Sequence, residues 1–114
     1  MTALQPGAVV WADLGETVGR EQSGRRPCVV VSTSPHLRAV DSMVTIVPCT
    51  TRARPWENHV RLSGDTELTA ATYAMTEQVR TISRERIRAV RGTVRPACLA
   101  EIARWVRSWH VPAA

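Results

Sequence analysis

The sequence predicts a β-rich α+β fold in which several short strands form a small barrel and one C-terminal helix follows them. Short apolar runs rich in valine recur along the chain and are separated by segments containing Gly, Pro, Ser and Thr. Only the last segment has the three- and four-residue spacing of an amphipathic helix. A chain of 114 residues has the usual length of one domain, so residues 1–114 are expected to form a single domain.

The first half of the chain contains three predicted strands. Pro6 and Gly7 signal a turn before the β-branched and aromatic run Ala8–Leu14. The segment Glu16–Arg26 carries two glycines and five charged residues without a hydrophobic period, so we expect a long exposed loop, which is usually functional. Two apolar runs then predict central strands buried on both faces, with Pro48 at a strand end or bulge. These runs are Pro27–Ser32 and Met43–Cys49, and a polar connection, Ser34–Ser42, joins them.

The second half of the chain mixes short strands with turns and ends in the helix. After a loop over Thr51–Glu57, the alternating residues His59–Leu62 predict a half-exposed strand, and Tyr73–Ile82 provides further strand material. Arg84–Arg88 predicts a single helical turn, and Pro96 is suited to the first turn of the final helix. The apolar face of this helix is predicted to span roughly 160°. It consists of Cys98, Leu99, Ile102, Ala103, Trp105, Val106 and Trp109, and it excludes Glu101, Arg104, Arg107 and Ser108.

The composition predicts a soluble, cytoplasmic protein without a cofactor. No apolar run approaches the roughly 20 residues of a membrane span, and the N-terminal segment lacks the features of an export signal. Three widely spaced cysteines without a CxxC pair are expected to be reduced and mostly buried. The histidines His36, His59 and His110 lack the spacing of metal ligands, so we expect no metal site.

The charge of the chain favours an anionic partner. Fifteen basic residues against ten acidic ones give a formal net charge of +5, and all fifteen are arginines. A GC-rich genome would suffice to explain the absence of lysine, but it does not explain the net positive charge. Guanidinium groups bind phosphates and base edges and stack on bases, which is compatible with a nucleic acid.

The end of the long loop is the first candidate site. It carries Glu21, Gln22, Arg25 and Arg26 directly before Pro27. A residue before proline is held extended, so the Arg26 side chain is aimed from a rigid strand, and Arg25 should face the opposite side. The alternative is a solvated loop with a surface ion pair.

Two further segments carry candidate polar residues. Thr50, Thr51 and Arg52 follow a buried strand directly and could bind a phosphate or hold a reacting hydroxyl, although the threonines could simply cap a turn. In a strand over Thr76–Thr81, Glu77 would lie on one face, and Gln78 and Arg80 on the other. A loop tryptophan, Trp56, could stack a base.

Taken in order, these segments resemble the MazF/PemK family of toxin endoribonucleases along nearly the whole chain. The matching stretches are residues 7–14, 19–27 running into a valine strand, 47–51, 77–82, and 92–94 before the final helix. The resemblance implies an SH3-like small barrel that forms a homodimer and cleaves single-stranded RNA without a metal ion. It also implies a cognate MazE-like antitoxin with an acidic tail, and a toxin–antitoxin complex able to bind its own operator DNA.

The resemblance also implies which residues act. Arg26 and Thr50 occupy the two positions that the family uses for catalysis, and Glu21 matches an acidic position implicated in some members. We expect Arg26 to stabilise the phosphorane formed when the 2′-hydroxyl attacks, Thr50 to position the phosphate, and Glu21 to assist proton removal or orient Arg26. Glu77 stands where many relatives have aspartate and is a further acid/base candidate.

The same resemblance assigns the surrounding polar residues to RNA binding. These are Gln22, Arg25, Thr51, Arg52, Gln78 and Arg80. Two alternatives remain open at this stage, namely a CcdB-like gyrase poison and a non-catalytic RNA-binding barrel. The Arg26–Pro27 and Thr50–Thr51 pair favours the enzyme over the gyrase poison.

Overall fold

The computed structural model of the chain describes residues 4–15, 24–110 and 112. Seven strands are present in these segments: β1 (Ala8–Asp13), β2 (Arg25–Val30), β3 (Met43–Thr50), β4 (His59–Arg61), β5 (Tyr73–Met75), β6 (Arg80–Ser83) and β7 (Ile87–Thr93). Two α-helices, α1 (Ser34–Ala39) and α2 (Pro96–His110), and two 3₁₀ helices, Thr76–Gln78 and Arg84–Arg86, complete the described structure.

All strand pairs are antiparallel, and their order is β4-β5-β3-β2-β1-β7. β6 lies off this path and pairs with the first part of β3, from Met43 to Ile46, whereas β5 pairs with its last two residues. Pro48 lies between these two partners, where β3 changes from one to the other, so its missing N–H is tolerated. Within the described segments β7 pairs only with β1, so the sheet curls into a small barrel-like fold without closing.

The two faces of the sheet form two hydrophobic clusters, because side chains alternate along each strand. One cluster fills the inside of the curl and includes Val10, Cys28 and Ile46. The other lies under α2 and includes Val29 and Ile102. The central strands β2 and β3 therefore contribute to both clusters, as their continuous apolar runs predict.

Helix α2 covers the predicted range and buries the predicted face. Ile102 is fully buried, whereas Glu101, Arg104, Arg107 and Ser108 are exposed. Trp109, at the end of this face, is 49% exposed in the single chain. None of the described helices is long and apolar enough to cross a membrane.

A helix occupies part of the predicted connection Ser34–Ser42, which is a correction to the sequence prediction. The Thr33 hydroxyl accepts a hydrogen bond from the His36 N–H (3.3 Å) and caps the N-terminus of α1. Only Leu37 of this six-residue helix is buried, so no hydrophobic period announces it. Arg84 closes its other end by donating to the carbonyl oxygens of Leu37, Val40 and Met43.

The predicted strand over Tyr73–Ile82 is interrupted by a 3₁₀ helix, so a second prediction is wrong. The Val79 N–H bonds to the Thr76 carbonyl oxygen (3.4 Å) and separates β5 from β6. The strict alternation expected for Glu77, Gln78 and Arg80 therefore does not apply. The turn predicted at Arg84–Arg88 is confirmed over Arg84–Arg86.

Two smaller predictions can also be checked in the described segments. The strand predicted at His59–Leu62 is present as β4. Its sequence predicts an alternation of buried and exposed residues, but its first two residues, His59 and Val60, are both buried. The three cysteines are free thiols and all are buried, which confirms the prediction.

Candidate functional site

Strands β2 and β3 bring Arg26 and Thr50 to the same part of the sheet. Cys28 pairs with Pro48 in this ladder, and the register continued by two residues places Arg26 opposite Thr50. Because side chains alternate, both residues face the same side as Cys28 and Pro48. Both are half-buried.

Arg80 joins this face from β6. It pairs with Ile46, which lies on the same side of β3 as Thr50. Burial raises the pKa of the Cys28 thiol to about 12, while the guanidinium groups of Arg80 and Arg26 act on it in the opposite direction. Two guanidinium groups therefore act on one short stretch of the sheet, which suits the binding of an anion.

Arg25 occupies a different environment from Arg26. It is exposed and pairs with Asp13 of β1. Consecutive residues of a strand face opposite sides, so Arg25 lies on the other face of β2, as the sequence predicts. It is placed to contribute to the general positive potential rather than to a shared contact with Arg26.

The Thr50 hydroxyl is held by the backbone that follows it. Its oxygen accepts a hydrogen bond from the Arg52 N–H (3.1 Å), so the turn-capping alternative is correct for this residue. A hydroxyl also carries one hydrogen that it can donate, so the same group can still bind a phosphate oxygen. Thr51 and Arg52 are exposed at the start of the following loop.

Glu77 is held by two residues that the sequence does not single out as site residues. The Asn58 side-chain amide donates to its Oε1 (2.8 Å), and His59 Nε2 lies 3.0 Å from both carboxylate oxygens. The His59 side chain is 1% exposed and that of Glu77 is 32% exposed. No local pattern in the sequence could have revealed this pairing, because the residues lie 18 positions apart.

Aromatic and hydroxyl groups extend this contact in two directions. Trp56 packs its ring edge-to-face against His59, with centroids 4.8 Å apart, and the Arg54 guanidinium lies 4.9 Å from the Trp56 ring centre. On the other side, the buried Thr76 hydroxyl bonds to Asn58 and accepts from Trp109 Nε1 (3.2 Å). The end of α2 is thereby connected to the residues around Glu77.

The overall match to known proteins identifies the family. A profile described as PemK-like, MazF-like toxin of type II toxin-antitoxin system matches residues 5–110. The chain belongs to the PemK/MazF family. It is 36% identical over 91 residues to the endoribonuclease toxin MazF of Escherichia coli (strain K12), which covers 79% of this chain and 78% of that relative.

Solved structures confirm the fold of this PemK/MazF toxin. MazF from Deinococcus radiodurans (Form-I) superimposes with a TM-score of 0.77 at 26% identity, covering 95% of this chain and 96% of that one. An endoribonuclease in complex with its cognate antitoxin from Mycobacterial species gives a TM-score of 0.77 at 24% identity, covering 98% and 100% of the two chains. The predicted fold class, a small barrel with a C-terminal helix, is therefore confirmed.

The PemK/MazF fold thus brings some of the predicted site residues together. Arg26, Thr50 and Arg80 share one face, whereas Gln78, half-buried, contacts the Met75 sulfur with its side-chain amide (3.7 Å). Glu21 and Gln22 lie outside the described residues. In the described part of the chain, no group of three or more His, Cys, Asp or Glu side chains could hold a metal ion.

One groove of the described surface lies away from these residues. A groove of about 740 Å³ runs between α1 and β7 and is lined by Leu4, Leu37, Ile87 and Val90 among others. None of the predicted site residues lines it. The candidate site at the end of β2 and β3 is therefore separate from this groove.

Proposed function

We propose that this PemK/MazF-family chain is a sequence-specific endoribonuclease that cleaves single-stranded RNA without a metal ion. The observation that carries the proposal is the β2–β3 register, in which Cys28 pairs with Pro48; continued by two residues, this register would set Arg26 opposite Thr50. Family membership and the formal net charge of +5 support the same conclusion. Growth inhibition would follow from the loss of translatable RNA.

The proposed reaction uses a nucleophile that the substrate supplies. The ribose 2′-oxygen attacks the adjacent phosphorus, the bond to the 5′-oxygen breaks, and the products carry a 2′,3′-cyclic phosphate and a 5′-hydroxyl. Arg26 stabilises the charge of the pentacoordinate phosphorane, and the Thr50 hydroxyl donates to a phosphate oxygen. Electrostatic stabilisation suits Arg26 better than proton donation, because a guanidinium group keeps its proton at neutral pH.

Proton transfer is assigned to the acidic candidates. Glu21 assists removal of the 2′-hydroxyl proton or orients Arg26, and Glu77 is the second candidate for acid/base work. The residues that would bind RNA around the reacting phosphate are Gln22, Arg25, Thr51, Arg52, Gln78 and Arg80. Arg25 and Arg52 are exposed, and each can neutralise a backbone phosphate.

The proposed partners follow from the family. A toxin of a type II system acts together with an antitoxin, and we infer a cognate MazE-like antitoxin whose acidic segment competes with RNA for the basic surface. The toxin is proposed to act as a homodimer in the cytoplasm as a single domain, and its complex with the antitoxin to bind operator DNA.

Cleavage of a long single-stranded RNA in the presence of EDTA tests the proposal. Purified protein should cut at a short recurring sequence, and mapping the ends should reveal a 2′,3′-cyclic phosphate. Arg26→Ala and Thr50→Ala should each reduce the rate by a factor on the order of 10² or more. Arg107→Ala removes the same charge from an exposed position on α2 and should cut like the wild type.

Other results would contradict the proposal in distinct ways. RNA binding without any cut would favour the non-catalytic barrel, and inhibition of gyrase supercoiling would favour the CcdB-like poison. If Arg26→Ala and Arg107→Ala lowered the cleavage rate equally, Arg26 would contribute only its positive charge and would have no specific role in the reaction. Cleavage that EDTA abolishes would contradict the metal-independent reaction.

A further inference from the structure

We propose that His59 is a positioning residue that fixes the Glu77 carboxylate for the cleavage reaction. This inference rests on the proposed function, in which Glu77 is an acid/base candidate. His59 itself is buried beneath Glu77 and acts through it. The proposal concerns two residues that the sequence pattern leaves unrelated.

His59 and Asn58 both hold the Glu77 carboxylate, and we call this contact the clamp. His59 Nε2 is 3.0 Å from each carboxylate oxygen of Glu77, and the Asn58 amide adds a bond of 2.8 Å to Oε1. A glutamate has three side-chain torsions, so an unrestrained carboxylate at a surface samples many positions. Two donors on the carboxylate restrict these positions, which favours an efficient acid or base.

His59 is itself rigidly supported. Its partner across the β4–β5 ladder is Met75, the residue before the 3₁₀ helix that carries Glu77. The Trp56 ring contacts it edge-to-face at an angle of 74°. A short strand and an aromatic contact therefore hold the imidazole in place.

The hydrogen bonds also define which nitrogen carries the proton. His59 Nδ1 is buried and has no hydrogen-bond partner among the described residues. A proton on Nδ1 would create a buried donor without an acceptor, which is costly. The neutral ring therefore carries its hydrogen on Nε2, where it donates to Glu77.

The position of Glu77 in the chain links this clamp to the candidate site. β5 begins with Tyr73, which pairs with Thr50, and β6 begins with Arg80, which acts on Cys28 together with Arg26. Glu77 lies on the short connection between these two strands. Its side chain is 32% exposed, so the carboxylate held by His59 stays accessible from solvent.

Steady-state kinetics on a short RNA containing the mapped cut site test the role of His59. Glu77→Gln should lower kcat by a factor on the order of 10². His59→Phe keeps an aromatic ring against Trp56 but has no N–H to donate to Glu77. It should lower kcat about tenfold and change KM by less than about threefold. His59→Gln restores an N–H donor and should recover kcat to within about threefold of the wild type.

The decisive measurement is the double variant. If His59 acts through Glu77, adding His59→Phe to Glu77→Gln should not lower kcat further. A further tenfold loss, a His59→Gln variant as slow as His59→Phe, or an unchanged kcat in His59→Phe or Glu77→Gln would each overturn the proposal. His36→Phe is the matched control, because it makes the same replacement at a histidine of α1 that bonds to the Ser32 hydroxyl (2.8 Å) and not to Glu77.

A readout independent of cleavage separates this inference from the proposed function. Long-range ¹H–¹⁵N NMR should show the Nε2–H form of His59, and Glu77→Ala should shift this signal while leaving that of His36 in place. If the wild type cuts no RNA but the NMR result holds, the cleavage function fails and only the clamp remains. If RNA is cut and the signal shows Nδ1–H, the positioning proposal fails. Asn58→Ala, which removes the other donor, replaces His59→Phe should that variant not fold.

Discussion

Replacing Thr76 with valine should lower the free energy of unfolding by about 2 kcal/mol, although the two side chains have nearly the same shape. The Thr76 side chain is fully buried, and its hydroxyl donates to the Asn58 carbonyl oxygen (2.8 Å). It also accepts from the Asn58 amide (3.3 Å) and from Trp109 Nε1 (3.2 Å). Valine removes all three bonds and leaves the Asn58 carbonyl oxygen without this donor.

The three bonds do not contribute equally. Loss of the bond to the Asn58 carbonyl oxygen should cost about 1–1.5 kcal/mol, and loss of the Trp109 bond about 0.5–1 kcal/mol because that indole can turn to water. The Asn58 amide keeps its bond to Glu77, so the third bond adds little. Thr76→Ser keeps the hydroxyl and removes one buried methyl group, which should cost only about 0.8 kcal/mol.

Urea denaturation followed by far-UV circular dichroism at a fixed protein concentration measures both variants. The signal does not depend on Trp109 fluorescence, and the fixed concentration removes effects of self-association. A second comparison in the Trp109→Phe background should show a smaller effect of valine, since one of the bonds is already absent. If Thr76→Ser destabilises more than Thr76→Val, packing rather than hydrogen bonding holds this connection, and the reasoning is refuted.

Three other predictions concern the core and the turns. Burial holds the pKa of the folded Cys28 thiol at about 12, so between pH 9 and pH 12 the thiol of the unfolded chain ionises first and the free energy of unfolding should fall as pH rises. The contribution is about 1.4 kcal/mol per pH unit. In urea titrations at several pH values, Cys28→Ala should show a shallower fall of the free energy of unfolding with pH. Arg84→Ala removes the donors that close α1 and should cost about 2 kcal/mol in the same assay, with Arg84→Lys recovering less than half. Gly92→Ala should cost about 2–3 kcal/mol by thermal melting, because its Cβ would overlap the Asp65 carbonyl oxygen. A pH slope equal in wild type and Cys28→Ala, or wild-type melting of Arg84→Ala or Gly92→Ala, would contradict the respective assignment.

The parts of the fold that the sequence predicts are those with a local apolar pattern. Strands β1 to β3 and helix α2 bury continuous or periodic apolar residues, so the local order of apolar residues locates them. Helix α1 is not predicted because six residues with one buried leucine have no hydrophobic period, although Thr33 before Pro35 is a helix-start signal. The division of Tyr73–Ile82 into two strands is not predicted because a 3₁₀ turn of three polar residues interrupts the strand pattern only briefly.

The candidate site follows a similar division. Arg26 and Thr50 are predictable as separate anchored residues, because each stands at the end of a buried strand. Their alignment depends on the register between β2 and β3, which no local pattern encodes. The partnership of His59 with Glu77 depends on the pairing of β4 with β5, and a lone histidine in a sequence gives no indication of its partner.

The shared strand β3 divides the surface into parts that tolerate change very differently. Val44 and Ile46 belong to one hydrophobic cluster, and Val47 and Cys49 belong to the other, so nearly every substitution along this strand disturbs a packed interior. The loop that follows Thr50 is exposed from Thr51 to Glu57, so replacements there cost little stability, except at Trp56, which packs against His59. This loop can therefore accept new residues while the Thr50 hydroxyl at the strand end stays where it is. Positions that tolerate change and positions that do not therefore stand within a few consecutive residues of the same chain.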